Sequence, residues 1–283
     1  MRFDIRHEIE YRYSKPVYLE PQTFFLKPRE DPGQRLLSFD LSIEPAPRLR
    51  THIIDPLGND AIKVWFGGAN DLFRIRAHSE VEVNRPNPFD YVADPGFSYF
   101  PARYAPADEK ALRPYLDGIH SVDPSVSKFS QEVAARTGGS VPSFLPELCR
   151  ALFESIERIH RPEGGPWPPA RTLRSQLGSC RDLAVLFIEC CRVHGLAARF
   201  TSGYFEGDPD SPEKDLHAWA EVYVEGGGWR GFDPTTGLAV SENHVAIASS
   251  NTTELISPVI GTFRGDALAT MRASVGISRL VTR

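Results

Sequence analysis

Residues 179–195, SCRDLAVLFIECCRVHG, constrain the fold more than any other stretch of the chain. Ser179 supplies a helix N-cap, and Asp182 three positions later completes a capping-box pattern. Gly195 stops the helix. Between them Leu183, Ala184, Leu186, Phe187, Ile188, Cys190, Cys191 and Val193 cover nearly the whole circumference. A helix apolar all round has no face to offer water, so it belongs at the centre of its domain. The segments that follow, AARFTSGYF, HAWAEVYVE and WRGFDPT, read as strands joined by Gly-rich turns. A buried helix followed by antiparallel strands predicts an α+β architecture.

The first 85 residues read differently. FDIRHEIEYRY, RLLSFDLSIEP, DAIKVWFGG and LFRIRAHSEVEVN alternate with period two, and Asp31-Pro32-Gly33, Asp55-Pro56-Leu57-Gly58-Asn59 and Gly67-Gly68 punctuate them. Short, evenly spaced strands predict an antiparallel β-sandwich or barrel over residues 1–85. Residues 86–107 are rich in Pro and aromatics without a sustained period, which predicts a linker packed against both neighbours. Residues 108–283 form the second unit. Its early helical signals are PADEKALRPYL, which Pro114 should limit, and DPSVSKFSQEVAART, capped by Asp123. SFLPELCRALFESIERIH follows, with Leu145, Leu148, Leu152, Phe153, Ile156 and Ile159 near one face and Cys149 on or near that stripe.

Charge and cysteine usage exclude several functions. A formal charge of −5 provides no basic field for nucleic acid or an anionic membrane surface. No apolar run reaches the length of a transmembrane helix, and MRFDIRHEIEYRYSKP does not resemble a secretory signal. The expectation is a cytoplasmic protein with reduced cysteines. No CxxC, HxxxH or EF-hand pattern is present, so neither a metal nor another cofactor is expected.

Three of the four cysteines lie in or beside the central helix. Cys190 and Cys191 fall in its last turns, where burial and the negative dipole end keep a thiol protonated. Cys180 is the first helical residue. Free backbone N–H groups and the positive end of the dipole favour a thiolate there. A reactive thiol needs a base, and the base needs an orienting group. His217 opens the strand HAWAEVYV, and Asp233 ends the strand WRGFD. A two-residue Gly226-Gly227 loop would put Asp233 opposite Ala220, on the wrong face of the sheet. A three-residue loop, 225–227, pairs Val224 with Gly228 and Trp219 with Asp233, leaving Asp233 the diagonal neighbour of His217 on one face. Cys180, His217 and Asp233 therefore require the three-residue loop.

At these residues the chain resembles bacterial transglutaminase-like proteins. GSCRDLAVLFIECCRVHGLAARFTSGY and HAWAEVYVEGGGWRGFDPTTG resemble the core of that superfamily, over roughly residues 140–262. HEIEYRYSKPV and DPLGND resemble the β-rich region that often precedes the core. Val185 stands where many relatives have a His, and SSNTTEL where many have Gly-Arg-Asp-Tyr. The resemblance implies a papain-like fold and a Cys180–His217–Asp233 triad performing acyl transfer at amide bonds of a peptide or protein substrate. The Cys180 N–H is the expected oxyanion donor. Trp167 and Gln176 are the candidates for a second donor, and Trp219 for a wall of the core or cleft. Water as acceptor makes a peptidase or amidase, which is the favoured expectation, and a lysine amine makes a cross-linker. An inactive binding module, or an interaction protein using the edges of the first sheet, are the non-enzyme alternatives.

Overall fold

The computed structural model describes residues 1–116, 122–161, 164–207 and 216–280. The chain opens with β1 (Arg2–Leu19), β2 (Gln22–Phe24), β3 (Gln34–Glu44), β4 (Leu49–Ile54), β5 (Asp60–Trp65) and β6 (Asn70–Val83). Period-two alternation in β1 and β6 buries Phe3, Ile5, Ile9, Phe73, Ile75, Val81 and Val83. Two sheets result, one in which β6 lies between β1 and β3 and one in which β5 lies between β2 and β4, and residues 259–279 add strands to both. They form the expected antiparallel β-sandwich around Ile9, Val17, Phe24, Ile62, Val64 and Phe73. β4, LRTHII, gave no sequence signal because it is a largely exposed edge strand.

The second unit contains α1 (Pro106–Leu116), α2 (Pro124–Arg136), α3 (Val141–Ser155), β7 (Glu157–Arg158), α4 (Pro169–Ser175), β8 (Leu177–Gly178) and α5 (Cys180–Val193). Then come β9 (Ala198–Phe205), β10 (Leu216–Val224), β11 (Gly228–Asp233), β12 (Leu238–Ala239) and β13 (His244–Ser250). Pro114 does not shorten α1; it sits in the last turns, and the helix runs on to Leu116. α3 ends at Ser155, so Ile159 lies outside it, and Phe153 is 51% exposed rather than part of the buried stripe. β7 and β8 form a short parallel pair directly ahead of α5.

The five antiparallel strands β12-β11-β10-β9-β13 make the core sheet. α5 packs on the face carrying Ala218, Ala220, Val222 and Phe232, with Phe187 stacked on Phe232 at 5.7 Å. On the other face the chain leaving β11 passes over Trp219, which packs with Val240 and Ala246, and returns as β13. β13 is buried at all seven positions and so lacks the alternation that marks a strand in sequence. The linker lies across the β10–β11 hairpin, and the Asp94 N–H donates to the Glu225 carbonyl at 2.9 Å. Gly226, at φ 82°, leaves room for it: a Cβ there would stand 2.5 Å from the Val92 carbonyl oxygen.

The chain ends back on the sandwich. β14 (Val259–Ile260) pairs with β2, while β15 (Phe263–Arg264) and β16 (Ala269–Arg279) pair with β1. Residues 259–279 thus join the first sheets, although the sequence groups them with 108–283.

A polar seam joins the sandwich to the core sheet. Glu221, buried on β10, takes Arg29 at 2.6 and 3.2 Å and Arg199 at 2.8 Å. The Gln34 amide pairs with both the N–H and carbonyl of Ala246 at 2.8 Å. Asn59 does the same for Ser249, at 2.8 and 2.9 Å. Two side-chain amides therefore occupy the outer edge of β13 as another strand would. Burial raises the Glu221 carboxyl pKa, but the Arg29 and Arg199 charges and hydrogen bonds outweigh it and hold Glu221 far below its ordinary value. Arg29→Met should lower unfolding free energy by about 3 kcal/mol in urea titration at neutral pH, because it strips a buried carboxylate of its main partner. The Glu221 contribution is fully present above the ordinary glutamate range and is lost as pH falls below it, so the gap between wild type and variant should shrink in acid.

Candidate active site

Cys180 owes its place to Asp182. Asp182 Oδ2 accepts the Ser179 N–H at 2.7 Å and the Ser179 hydroxyl at 2.8 Å, fixing the start of α5. Its Oδ1 accepts the Trp167 backbone N–H and the Arg161 guanidinium, each at 2.6 Å. Burial raises the Asp182 pKa, and these donors more than reverse the effect. One carboxylate thereby ties the loop before α4 to the turn that presents the thiol.

The β10–β11 hairpin has the register of the three-residue loop, with Val224 opposite Gly228 and Ala220 opposite Phe232. His217 and Asp233 consequently share a face, and His217 Nε2 lies 2.8 Å from Asp233 Oδ2. Asp233 Oδ1 accepts the Thr235 N–H at 2.9 Å and its hydroxyl at 2.6 Å. Asp233 is fully buried and His217 is 4% exposed, while Cys180 is only half-buried. The Cys180 thiol and the His217 ring lie close enough to act on one another's charge.

Charge follows from this geometry. Burial pushes the His217 pKa down, but the Asp233 carboxylate and, after it, the neighbouring Cys180 carry it up to about 10. Burial pushes the Cys180 thiol up, and the neighbouring His217, helped by Arg158, brings it below its ordinary value. Cys149, Cys190 and Cys191 are fully buried, and burial holds all three thiols well above theirs. The arrangement favours a thiolate–imidazolium pair at one half-open position.

The remaining candidates fall elsewhere. The Trp167 N–H is committed to Asp182, and the ring lies between the guanidinium groups of Arg161 at 4.9 Å and Arg171 at 3.8 Å. Its backbone is therefore no oxyanion donor. Gln176 caps α4 with φ 54°, and its carbonyl accepts the Glu157 N–H; its side chain is exposed. Trp219 is buried beneath the β11–β13 crossing, 6.2 Å from the His217 ring, which makes it core and not an open cleft wall. Gly203, opposite His217, makes room for it: a Cβ there would lie 2.4 Å from the indole.

Sequence reasoning missed His244. Its Nε2 lies 3.1 Å from Asp233 Oδ2, the same oxygen that His217 contacts. His217, Asp233 and His244 are close enough together to hold a metal ion, but hydrogen bonding already accounts for both contacts. Two open depressions of about 630 and 490 Å³ lie on the β-sandwich, and neither is lined by these residues.

Comparison with known proteins agrees with this architecture. Residues 3–82 match the bacterial transglutaminase-like N-terminal region, and residues 129–234 match the transglutaminase-like superfamily. An uncharacterized protein of Mycobacterium tuberculosis is 30% identical over 283 residues, covering 92% of this chain and 87% of its own. A Mycobacterium leprae protein, also uncharacterized, is 28% identical over 156 residues, 46% of this chain and 55% of its own. The crystal structure of a candidate cysteine protease from Cytophaga hutchinsonii superposes with a TM-score of 0.75 at 21% identity, covering 100% of this chain and 92% of that one. The chain belongs to the transglutaminase-like superfamily, in the bacterial form that carries the N-terminal β region.

At neutral pH, iodoacetamide should alkylate Cys180 first and leave Cys149, Cys190 and Cys191 unmodified in the folded protein, as read by peptide mass spectrometry. The rate should exceed that of a free thiol and fall as acid protonates Cys180.

Proposed function

We propose that this protein is a thiol-dependent acyltransferase acting at amide bonds, with Cys180, His217 and Asp233 as its catalytic triad and water as its acceptor. The observation that carries the reading is the partly exposed Cys180 thiol, set at a helix start beside a buried, hydrogen-bonded His217–Asp233 pair.

The Cys180 thiolate attacks the amide carbonyl carbon, forming the C–S bond and an oxyanion. The Cys180 N–H, first in α5 and without an intrahelical acceptor, donates to that oxygen. The oxyanion collapses, the C–N bond breaks, and His217 gives its Nδ1 proton to the departing amine. A thioester remains. Water then attacks it as His217 takes the water's proton, and the thiolate leaves with the acid released. Asp233 keeps Nε2 protonated throughout, so the nitrogen facing the thiol is the one that exchanges protons. Water is the favoured acceptor because it is always present at a partly exposed thioester, whereas an amine must be bound there.

His217→Ala should abolish the rapid alkylation of Cys180. Asp233→Asn should keep the fold and reduce peptide hydrolysis by a factor on the order of 10⁴, the loss seen when a serine-protease triad gives up its carboxylate. Peptides and a denatured protein, incubated with and without a fluorescent primary amine, identify the acceptor. New termini or free carboxylates support hydrolysis, whereas incorporation of the amine in place of water would make the protein a cross-linker. A Cys180 that alkylates at the rate of an ordinary thiol would make it an inactive module.

A further inference from the structure

His244 brings a second imidazole to the triad's carboxylate. It opens β13, opposite Phe205 of β9, and is 5% exposed. Phe205 stacks on it at 4.5 Å and lies 5.2 Å from the His217 ring, so one aromatic side chain sets the plane of both imidazoles. Trp219 meets His244 edge-on at 5.3 Å. The ring is therefore fixed on two sides. Its Nε2 faces Asp233 Oδ2, and its Nδ1 is buried with no hydrogen-bond partner among the described residues. Facing a carboxylate, Nε2 must carry the hydrogen, which leaves Nδ1 as a bare lone pair. Burial and the neighbouring His217 and Arg85 charges favour this neutral form, although Asp233 opposes them.

Asp233 thus receives four hydrogen bonds: two from Thr235 on Oδ1, and one each from His217 and His244 on Oδ2. Proton transfer sets the significance of the fourth. A buried carboxylate with His217 alone on Oδ2 would hold the imidazolium very tightly. An imidazolium held too tightly is a poor acid for a departing amine. A neutral N–H on the same oxygen draws off part of the charge and stops the carboxylate from rotating away.

We propose, on the basis of the thiol chemistry above, that His244 is a positioning residue that orients Asp233 Oδ2 and tempers its charge so that His217 can release its proton to the leaving group. Its place depends on the β-sandwich. Gln34 holds Ala246, two residues along β13, through both backbone groups. The groups facing His217 and His244 are Asp233 from β11, Cys180 from α5 and Arg85 from just beyond β6, with Thr235 beside them.

The test follows imidazole nitrogens by NMR in histidine-labelled protein, with peptide hydrolysis in parallel. In wild type, His244 should show Nε2 protonated and Nδ1 bare at neutral pH. His244→Leu should raise the His217 titration midpoint by about one unit, the size expected for losing a charge-assisted hydrogen bond. Hydrolysis should fall about tenfold through kcat, with KM little changed. His244→Gln, which keeps an N–H near the same position, should restore both. A folded His244→Leu protein with an unmoved His217 midpoint would overturn the proposal. So would a wild-type His244 protonated on both nitrogens at neutral pH, a measurement that needs no variant to fold. The imidazole signals read His244 whether or not Cys180 turns over. Slow alkylation of wild-type Cys180 would therefore remove the nucleophile assignment without mimicking either result.

Discussion

The Asp233 carboxylate is a charge with no contact with water, and the end of the core sheet is organised around it. Burying a carboxylate costs several kcal/mol unless hydrogen bonds replace its hydration. Here the replacements come from β10, β13 and the turn after β11. His244 reaches it because the chain crosses the sheet over Trp219 before entering β13. The same demand for donors that keeps Asp233 ionised fixes the imidazole that faces the thiol. Satisfying the charge and aligning the site are one requirement.

Asp182 and Glu221 repeat the pattern elsewhere. Asp182 gathers the donors that set the start of α5, and Glu221 gathers Arg29 and Arg199 across the junction with the sandwich. Each acid joins segments distant in sequence, and each is worth little unless all its partners arrive. Between these polar anchors lies an apolar core that fills space without fixing direction. The carboxylates supply direction, and the placing of a nucleophile at the junction of β8 and α5 depends on it.

Much of this was legible in sequence. The circumference of residues 179–195 placed a central helix, and Ser179 with Asp182 marked its start. The glycines at 226–228 allowed the hairpin loop whose register puts Asp233 beside His217. Alternation revealed the long strands of the sandwich. Legibility failed where partners are remote. His244 heads a continuous buried run and lies 11 residues from Asp233 along the chain, so nothing local marks the contact. Trp167 suggested an oxyanion donor because its commitment to Asp182 can be seen only in three dimensions. β16 lacks a contiguous partner; its register with β1 joins residues 269–279 to residues 3–13.

That last pairing has a consequence for synthesis. A ribosome delivers β6 soon after β1, so one side of β1 finds its neighbour early. The other side waits until residues 269–279 have been made. Throughout that interval an eleven-residue stretch of backbone donors and acceptors, Phe3–Tyr13, stands open beside a finished sheet. The emerging protein therefore carries a sticky ribbon that a passing strand can join, and β16 seals it.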